Sequence, residues 1–270
     1  MTGSPMLNIV RRQLERNRLF LMAAMLVLAG FEFLICAVVA SVDVESAFGQ
    51  LTQFAPPLFR AMIEQNLGGG SPAAILAFGW NHPVAHALLT AVAITLPARA
   101  IAGEVENGSI ELTLVQPISR SQYFAAHVFF ALAALCALLT AGLLGTVAGQ
   151  MVYGLPGFGP SRLSAFFLNA LLLQLAIYAL TLLVSAFGRE AGRVALAGVL
   201  IAVLSFVVNT LAVLWPKIAF AKPYSLHGHY DPREVLVQGH LSMSSLMILA
   251  AVAAIALAAA YLRFMRRDLP

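Results

Sequence analysis

The sequence predicts an all-α integral membrane protein with six transmembrane helices. Of its 270 residues, 60% are hydrophobic and only 10% are charged. The hydrophobic residues gather in runs of about 20, the length that a helix needs to cross a hydrocarbon core of ~30 Å. Each run is continuously apolar rather than alternating, which favours helices over the strands of a membrane barrel. We therefore predict a single transmembrane domain over residues 1–270.

The basic residues place both termini in the cytoplasm. The spans are predicted at about residues 19–40, 82–101, 127–149, 163–187, 194–215 and 244–263. If the spans alternate in direction, eleven of the sixteen basic residues fall on the side of the termini. These are Arg11, Arg12, Arg16, Arg18, Arg99, Arg120, Arg189, Arg193, Arg263, Arg266 and Arg267. The positive-inside rule makes that side the cytoplasm. The net charge of +4 reflects this loop bias rather than an affinity for nucleic acid.

The residues just before the first span, 7–18, predict an amphipathic helix that lies at the membrane interface. Its two faces differ in character, one apolar and one basic. The apolar side chains are Leu7, Val10 and Leu14, with Ile9 as a further candidate, and the arginines are Arg11, Arg12 and Arg16. Such arginines can simply anchor a helix on the anionic headgroups of membrane lipid. Alternatively, the helix also contacts a cytoplasmic partner, and the charge pattern alone fits both interpretations.

The connection between the second and third spans is the most informative segment. Residues 102–112 read AGEVENGSIEL, and residues 116–122 read QPISRSQ. Glu104, Glu106 and Glu111 cannot all lie in hydrocarbon, where each charge would cost a few kcal/mol. The connection must stand in water, and we interpret it as a docking surface. The alternative is a solvated loop whose glutamates only keep it out of lipid.

Two polar residues inside the spans are candidates for a substrate path. Glu32 lies in the first span, and an intramembrane carboxylate by default marks a pathway or a polar contact. It can also be a protonated acid packed against another helix, or a side chain that reaches the outer headgroups. Asn209 is the second candidate, although an uncharged polar side chain in a span more commonly forms an interhelical hydrogen bond. Gly145 and Gly149, four residues apart, indicate close helix packing, for instance at a dimer seam.

Four histidines on the predicted outer side are candidate metal ligands. His82 and His86 share a helix face, and His227 and His229 could join them. No carboxylate or thiolate is clearly placed with these histidines. Histidines that face headgroups or water are commoner, so we predict no metal site.

The connection also carries a family resemblance. Over residues 103–120 it runs Gly-Glu, then Gly-Ser, an amphipathic stretch, and Pro-Ile-Ser-Arg. This pattern resembles the signature between the second and third spans of type-2 ABC transporter permeases. Residues 82–83 (His-Pro), 230–232 (Tyr-Asp-Pro) and 264–269 (FMRRDL) are similar to segments of such permeases as well. With six spans and matching loop lengths, the resemblance covers most of the chain.

The resemblance implies the membrane subunit of an ABC exporter in the cell inner (cytoplasmic) membrane. Such a subunit forms the substrate path as a dimer with a second permease copy or a related permease. A separate ABC ATPase subunit drives it, and that subunit binds ATP and Mg²⁺. Residues 103–109 lack the lysine and the preceding strand of a phosphate-binding loop. This chain is therefore predicted to be no enzyme and to bind no cofactor itself.

The resemblance also assigns roles to residues. The connection becomes a cytoplasmic coupling helix seated in a cleft of the ATPase, and the N-terminal amphipathic helix becomes a second contact. The coupling residues are Gly103, Glu104, Glu106, Gly108, Glu111 and Arg120. The glutamates would face a basic cleft, the glycines allow tight turns, and Ser119 would cap the third span.

Two other functions stay open at this point, a secondary transporter and a non-transporting membrane scaffold or assembly subunit. A secondary transporter would favour several intramembrane charges and broken helices, and neither is evident. A membrane-embedded enzyme would need catalytic groups clustered at one depth, and Glu32 has no histidine or aspartate at its level. No residue argues against a scaffold.

Overall fold

The structure, a computed structural model, describes residues 5–42, 46, 49–50, 53–56, 60, 70–109 and 118–267. Within these residues, six helices are long and apolar enough to cross a membrane. They are Met6–Ser41, Pro72–Ala100, Arg120–Tyr153, Pro160–Phe187, Ala191–Leu214 and Met243–Met265. The predicted number of spans is confirmed, and every one of these helices begins earlier than predicted.

The helices are numbered here in chain order. They are α1 (Pro5–Ser41), α2 (Pro72–Asn81), α3 (Pro83–Ala100), α4 (Ala102–Glu106), α5 (Arg120–Tyr153), α6 (Pro160–Phe187), α7 (Ala191–Leu214), α8 (Pro232–Leu236) and α9 (Met243–Met265). Two 3-10 helices, Pro216–Tyr224 and Leu226–His229, lie between α7 and α8. The part of the chain that the structure describes contains no strand, in agreement with the predicted all-α class.

The second span begins at Pro72 and not, as predicted, at His82. Ser71 caps α2 through its side chain, and Pro72 takes the first helical position, where no amide hydrogen is needed. The break between α2 and α3 comes from Pro83, which cannot donate to the helix ladder. The Nδ1 atom of His82 accepts a hydrogen bond from the amide of Val84 at 3.2 Å and so caps α3. The His-Pro pair therefore interrupts the span instead of opening it.

The N-terminal amphipathic helix is not a separate interfacial element, which corrects the prediction. α1 runs uninterrupted for 37 residues, roughly 55 Å, and so extends well beyond the ~30 Å hydrocarbon core. The predicted apolar face is only partly right, because Leu7 and Leu14 are 66% and 52% exposed. The buried residues here are Ile9, which the prediction included as a further candidate, Gln13 and Asn17. These three begin a buried stripe with helical spacing. It continues through positions 21, 24, 28, 32, 36 and 39.

The buried stripe of α1 packs along α5, and glycines of α5 make the contact close. A Cβ atom at Gly149 would lie 2.6 Å from the Cβ atom of Cys36. A Cβ atom at Gly145 would overlap the backbone carbonyl of Ala29. Small residues allow two transmembrane helices to approach in this way. The close packing predicted at Gly145 and Gly149 thus lies within this chain, between the first and third spans, and not at a dimer seam.

The centre of the bundle is α6, which contacts α3, α5, α7 and α9. Its inward positions are filled by fully buried side chains such as Phe166, Leu173 and Tyr178. By contrast, α7 turns a continuous apolar face outward. That face includes Leu196, Val199, Leu200, Val203 and Leu204. An outward apolar face is the surface that a membrane-spanning helix presents to lipid or to another transmembrane subunit.

The connections gather at two ends of the bundle. The first contains the start of α1, the connection between α3 and α5, the turn between α6 and α7, and the end of α9; we name it the arginine-rich end. The second, named the opposite end, contains the two 3-10 helices and α8. There the Tyr230 hydroxyl donates to the carbonyl of Trp80 at 3.1 Å. The Asn169 amide donates to the carbonyl of His229 at 2.9 Å. These bonds fasten the segment before the last span to α2 and α6.

Gly145→Ala is expected to destabilise the bundle, because the added methyl group has no space against the backbone of Ala29. Overpacking of this kind costs about 1 to 3 kcal/mol, so the thermal unfolding midpoint in detergent should fall. Gly30→Ala is the control, since a Cβ atom at that helical position meets nothing within 4 Å. Equal midpoints for the two variants would contradict the close contact between α1 and α5.

Candidate functional site

A short helix begins the connection after the second span. α4 covers Ala102–Glu106 and follows α3 directly. The amide of Ala102 donates to the hydroxyl of Ser185 on α6 at 3.0 Å. The hydroxyl of Tyr123 on α5 donates to the carbonyl of Ala100 at 2.6 Å. Both bonds satisfy backbone groups where α3 gives way to α4. The connection therefore starts from a point fixed by two other spans.

The end of α4 turns the chain sharply. The side-chain amide of Asn107 donates to the carbonyl of Gly103 at 2.7 Å. Gly108 follows with a φ of +66°, a conformation that glycine adopts without strain. Gly108 thus has the predicted turn conformation, whereas Gly103, predicted to allow a turn as well, is helical within α4. Residues 110–117, and with them the predicted coupling residue Glu111, lie outside the described residues.

Glu104 is buried, although it was predicted to offer its carboxylate to a partner. The residue is 1% exposed. Its Oε1 atom accepts a hydrogen bond from Arg16 at 2.7 Å, and its Oε2 atom accepts one from Arg12 at 3.5 Å. The hydroxyl of Ser109 donates to Oε2 as well. A carboxylate this buried needs such charged partners, and α1 passes close enough to provide them. Arg12 and Arg16 therefore fasten α1 to the connection.

Glu106 lies on the exposed side of α4 and forms a different link. Its carboxylate accepts a hydrogen bond from the amide of Ala191 at 2.7 Å. Ala191 is the first residue of α7, and the first amides of a helix lack partners within the helix. A carboxylate there also complements the positive end of the helix dipole. α4 is thus joined to α1 by Glu104 and to α7 by Glu106.

A second polar cluster, which the sequence analysis missed, lies at the same end of α1. The Oδ1 atom of Asn17 accepts a hydrogen bond from Arg99 of α3 at 3.3 Å. Asn17 in turn donates to the carbonyl of Gln13 at 2.8 Å. The side-chain nitrogen of Gln13 lies 3.4 Å from Nε2 of His127 on α5. Three spans meet in this cluster. The four-residue spacing of Gln13 and Asn17 could have indicated this cluster in the sequence, because it continues the buried stripe of the first span.

Two arginines cap helix ends at the arginine-rich end. Arg120, predicted as a coupling residue, donates to three carbonyls at the end of α9, the shortest bond being 2.7 Å to the carbonyl of Arg267. The Arg267 side chain donates to the carbonyls of Ala186 and Gly188 at 3.0 and 2.8 Å, at the end of α6. Ser119 caps α5, as predicted. Arg120 thus acts between helices of the bundle, because the last carbonyls of α9 need donors.

Glu32, the first candidate for a substrate path, lies inside the protomer between α1, α2 and α5. It is 1% exposed, and its Oε2 atom accepts a hydrogen bond from the hydroxyl of Thr146 at 3.3 Å. Among the described residues, its Oε1 atom has no hydrogen-bond partner. Thr146 also accepts a bond from the indole of Trp80 at 3.2 Å. This placement favours the alternative of an acid packed against neighbouring helices. Asn209 lies half-buried on α7 and makes no hydrogen bond with Glu32.

The four histidines at the opposite end do not converge on one point. His86 and His227 are in contact, with ring centroids 5.1 Å apart. The Nδ1 atom of His227 lies 2.9 Å from the hydroxyl of Ser205. His82 caps α3, and Nε2 of His229 lies 2.9 Å from a backbone carbonyl. No group of three or more histidine, cysteine, aspartate or glutamate residues suited to a metal ion occurs in the described ranges.

Glu104→Gln should lower the stability of the bundle by about 1 to 2 kcal/mol. Arg12 and Arg16 would lose their carboxylate, but both guanidinium groups partly reach solvent, which limits the loss. Glu15→Gln is the matched control, because Glu15 pairs with Arg11 at 2.9 Å on the exposed surface and should have little effect. Thermal unfolding in detergent measures the difference. A control as destabilised as Glu104→Gln would contradict the role of Glu104 as a buried link.

Acid is expected to destabilise the fold through His227, which is buried at the opposite end. Burial, together with His86, lowers the pKa of His227 to about 3, against ~6.5 for an exposed histidine. The fold therefore favours the neutral ring, and this stabilisation is complete above about pH 6.5. This stabilisation decreases as the pH falls from 6.5 toward 3. At pH 5 this loss has lowered the free energy of unfolding by about 2 kcal/mol relative to pH 8. Unfolding followed by the fluorescence of Trp80 and Trp215 at pH 8 and pH 5 measures it. In His227→Gln, the free energy of unfolding should differ less between pH 8 and pH 5 than in the wild type. An unchanged difference would contradict the assignment.

The comparison with protein families matches residues 11–269 to the family described as ABC-2 family transporter protein. The matched region includes the whole α3–α5 connection and nearly all of the six apolar helices. A comparison with curated proteins found no match. The family match confirms the resemblance noted in the sequence. On the strength of a match over almost its entire length and of six helices able to cross a membrane, the chain belongs to the ABC-2 family of transporter permeases, the membrane subunits of ABC transporters.

Proposed function

We propose that this chain is the membrane subunit of an ABC exporter in the cell inner (cytoplasmic) membrane, with its arginine-rich end in the cytoplasm. It pairs with a second copy or with a related permease, and the dimer forms the substrate path. A separate ABC ATPase subunit docks on the α3–α5 connection and binds the ATP and Mg²⁺. Family membership supports transport, and the excess of arginines at one end supports the orientation.

The observation that carries this proposal is the attachment of α4 to four transmembrane helices. α4 continues α3 directly, and its Ala102 amide binds Ser185 of α6. Glu104 binds two arginines of α1, and Glu106 binds the first amide of α7. A displacement of α4 by a partner therefore reaches α1, α3, α6 and α7 together. Packed helices transmit such a displacement as a rigid-body movement.

The docking contacts that we propose are limited to exposed residues in the described part of the connection. We place the docking contacts at Glu106, Asn107 and Gly108, which are exposed. Arg11, exposed on α1 at the same end, adds a basic contact. Glu104 and Arg120 instead act as links inside the permease. Glu104 matters for coupling because it ties α4 to α1, whereas Arg120 joins the start of α5 to the end of α9.

ATP hydrolysis belongs to the partner in this proposal. A phosphate-binding loop needs a lysine that reaches the β- and γ-phosphates, and a strand before the loop. Residues 103–109 contain no lysine, and the preceding element is the transmembrane helix α3. The chain therefore contributes the path and the coupling contacts.

Purification of the tagged permease from its native membrane in mild detergent tests the proposal. Mass spectrometry should find a stoichiometric partner that carries Gly-x-x-x-x-Gly-Lys-Ser/Thr. A photoreactive p-benzoylphenylalanine in place of the exposed Asn107 should cross-link to that partner on irradiation. The same amino acid in place of Tyr224, which is 87% exposed at the opposite end, is the control and should not.

Each outcome of this experiment decides one part of the proposal. If the intact, folded permease purifies without such a partner, the proposed assembly is wrong, and a scaffold or a secondary transporter becomes the better interpretation. If the ATPase cross-links from position 224 and not from position 107, the proposed orientation is wrong.

A further inference from the structure

Three arginine side chains meet around the turn between α6 and α7. The guanidinium group of Arg263, on α9, lies over the ring of Phe187, 4.9 Å from the ring centroid. The guanidinium group of Arg267 donates to the carbonyl of Gly188 at 2.8 Å. Arg189 is the next residue in the chain. Residues distant in sequence therefore bring three positive charges to one turn.

No carboxylate among the described residues forms an ion pair with these three arginines. Two acidic residues adjoin these arginines in sequence: Glu190 pairs with Arg193 at 2.8 Å, and Asp268 lies outside the described residues. Burial lowers the pKa of Arg267, and the positive charges of Arg263 and Arg189 lower it further. The Nε atom of Arg263 is buried without a hydrogen-bond partner in the described part of the chain. An anion at this turn would relieve the repulsion between these positive charges.

The three arginines at this turn differ in whether their guanidinium groups already donate hydrogen bonds to carbonyls of the chain. Arg267 is 6% exposed, and both of its terminal nitrogens donate to carbonyls at the end of α6. Arg189 is exposed and Arg263 is half-buried. An anion would therefore bind to Arg189 and Arg263, while Arg267 holds the turn in place.

Apolar surface lies directly beside these arginines. Phe187, at the last position of α6, is 61% exposed, and Leu262, on the last turn of α9, is 55% exposed. The arginines stand at the ends of two apolar helices, where we expect the headgroups. Phe187 contacts Arg263, and Leu262 directly precedes Arg263 in the chain. This pairing of phosphate-binding donors with exposed apolar surface fits one ligand that has both a phosphate and a hydrocarbon chain.

We propose that Arg189 and Arg263 form a binding site for the phosphate of an anionic phospholipid, such as phosphatidylglycerol or cardiolipin, with an acyl chain on Phe187 and Leu262. Guanidinium groups bind phosphate oxygens through paired, charge-assisted hydrogen bonds. The bound lipid joins the end of α9 to the α6–α7 turn and neutralises the charge around Arg267. This site requires only that the chain spans the membrane, and it does not depend on the proposed ATPase docking.

Native mass spectrometry of the full-length permease tests the site by counting bound lipids as phosphatidylglycerol is titrated against phosphatidylcholine in detergent. The wild type should hold one anionic lipid that phosphatidylcholine does not displace. Arg189→Gln/Arg263→Gln should bind phosphatidylglycerol roughly tenfold more weakly, because charge-assisted hydrogen bonds are lost. Arg189→Gln alone changes an exposed turn residue, leaves the helix packing intact, and should weaken binding about threefold.

Arg18→Gln is the matched control, since it removes one charge from an exposed arginine at the same end. It should leave the affinity unchanged. The proposal is overturned if the double variant binds phosphatidylglycerol as the wild type does. It is also overturned if Arg18→Gln weakens binding as much as Arg189→Gln, because general surface charge would then explain the effect. Loss of a co-purifying ATPase with unchanged lipid binding would assign these arginines to the protein partner and overturn it as well.

Discussion

Where the hydrocarbon gives way to the headgroups, the first amides and last carbonyls of each helix still need hydrogen-bond partners. At the arginine-rich end, side chains of neighbouring helices supply them. Arg120 serves the end of α9, Arg267 the end of α6, Glu106 the start of α7 and Tyr123 the end of α3. Each bond that satisfies the backbone of one helix also fixes its position against another. The geometry of the α3–α5 connection depends on this set of caps.

The charged residues at the arginine-rich end fall into two groups, one buried and one exposed. Glu104 and Arg267 are buried and hold helices together. Arg11, Arg18 and Arg189 are exposed and face the surroundings. The positive-inside rule counts all of these arginines alike. Burial therefore separates the arginines that hold helices together from those that stay accessible at the surface.

Close packing between α1 and α5 links the α3–α5 connection to more of the bundle. Gly145 and Gly149 bring α5 against α1 with no space for a methyl group, and Glu32 and Thr146 add a polar contact within the same interface. α1 and α5 therefore behave as one packed unit. Since Glu104 ties α4 to α1, we expect a displacement of α4 to reach α5 through α1.

The sequence by itself determined the helical class, the number of spans and the family, because length and continuity of apolar runs are local properties and the Gly-Glu and Pro-Ile-Ser-Arg pattern is contiguous. It also located the cap at Ser119, since capping acts over a few residues. Only the tertiary structure decided the roles of Glu104, Arg120 and Glu32. Whether a charged side chain meets water or another helix depends on which helices become neighbours, and Arg16 and Glu104 are 88 positions apart. Sequence patterns describe one helix at a time, whereas these roles arise from contacts between helices.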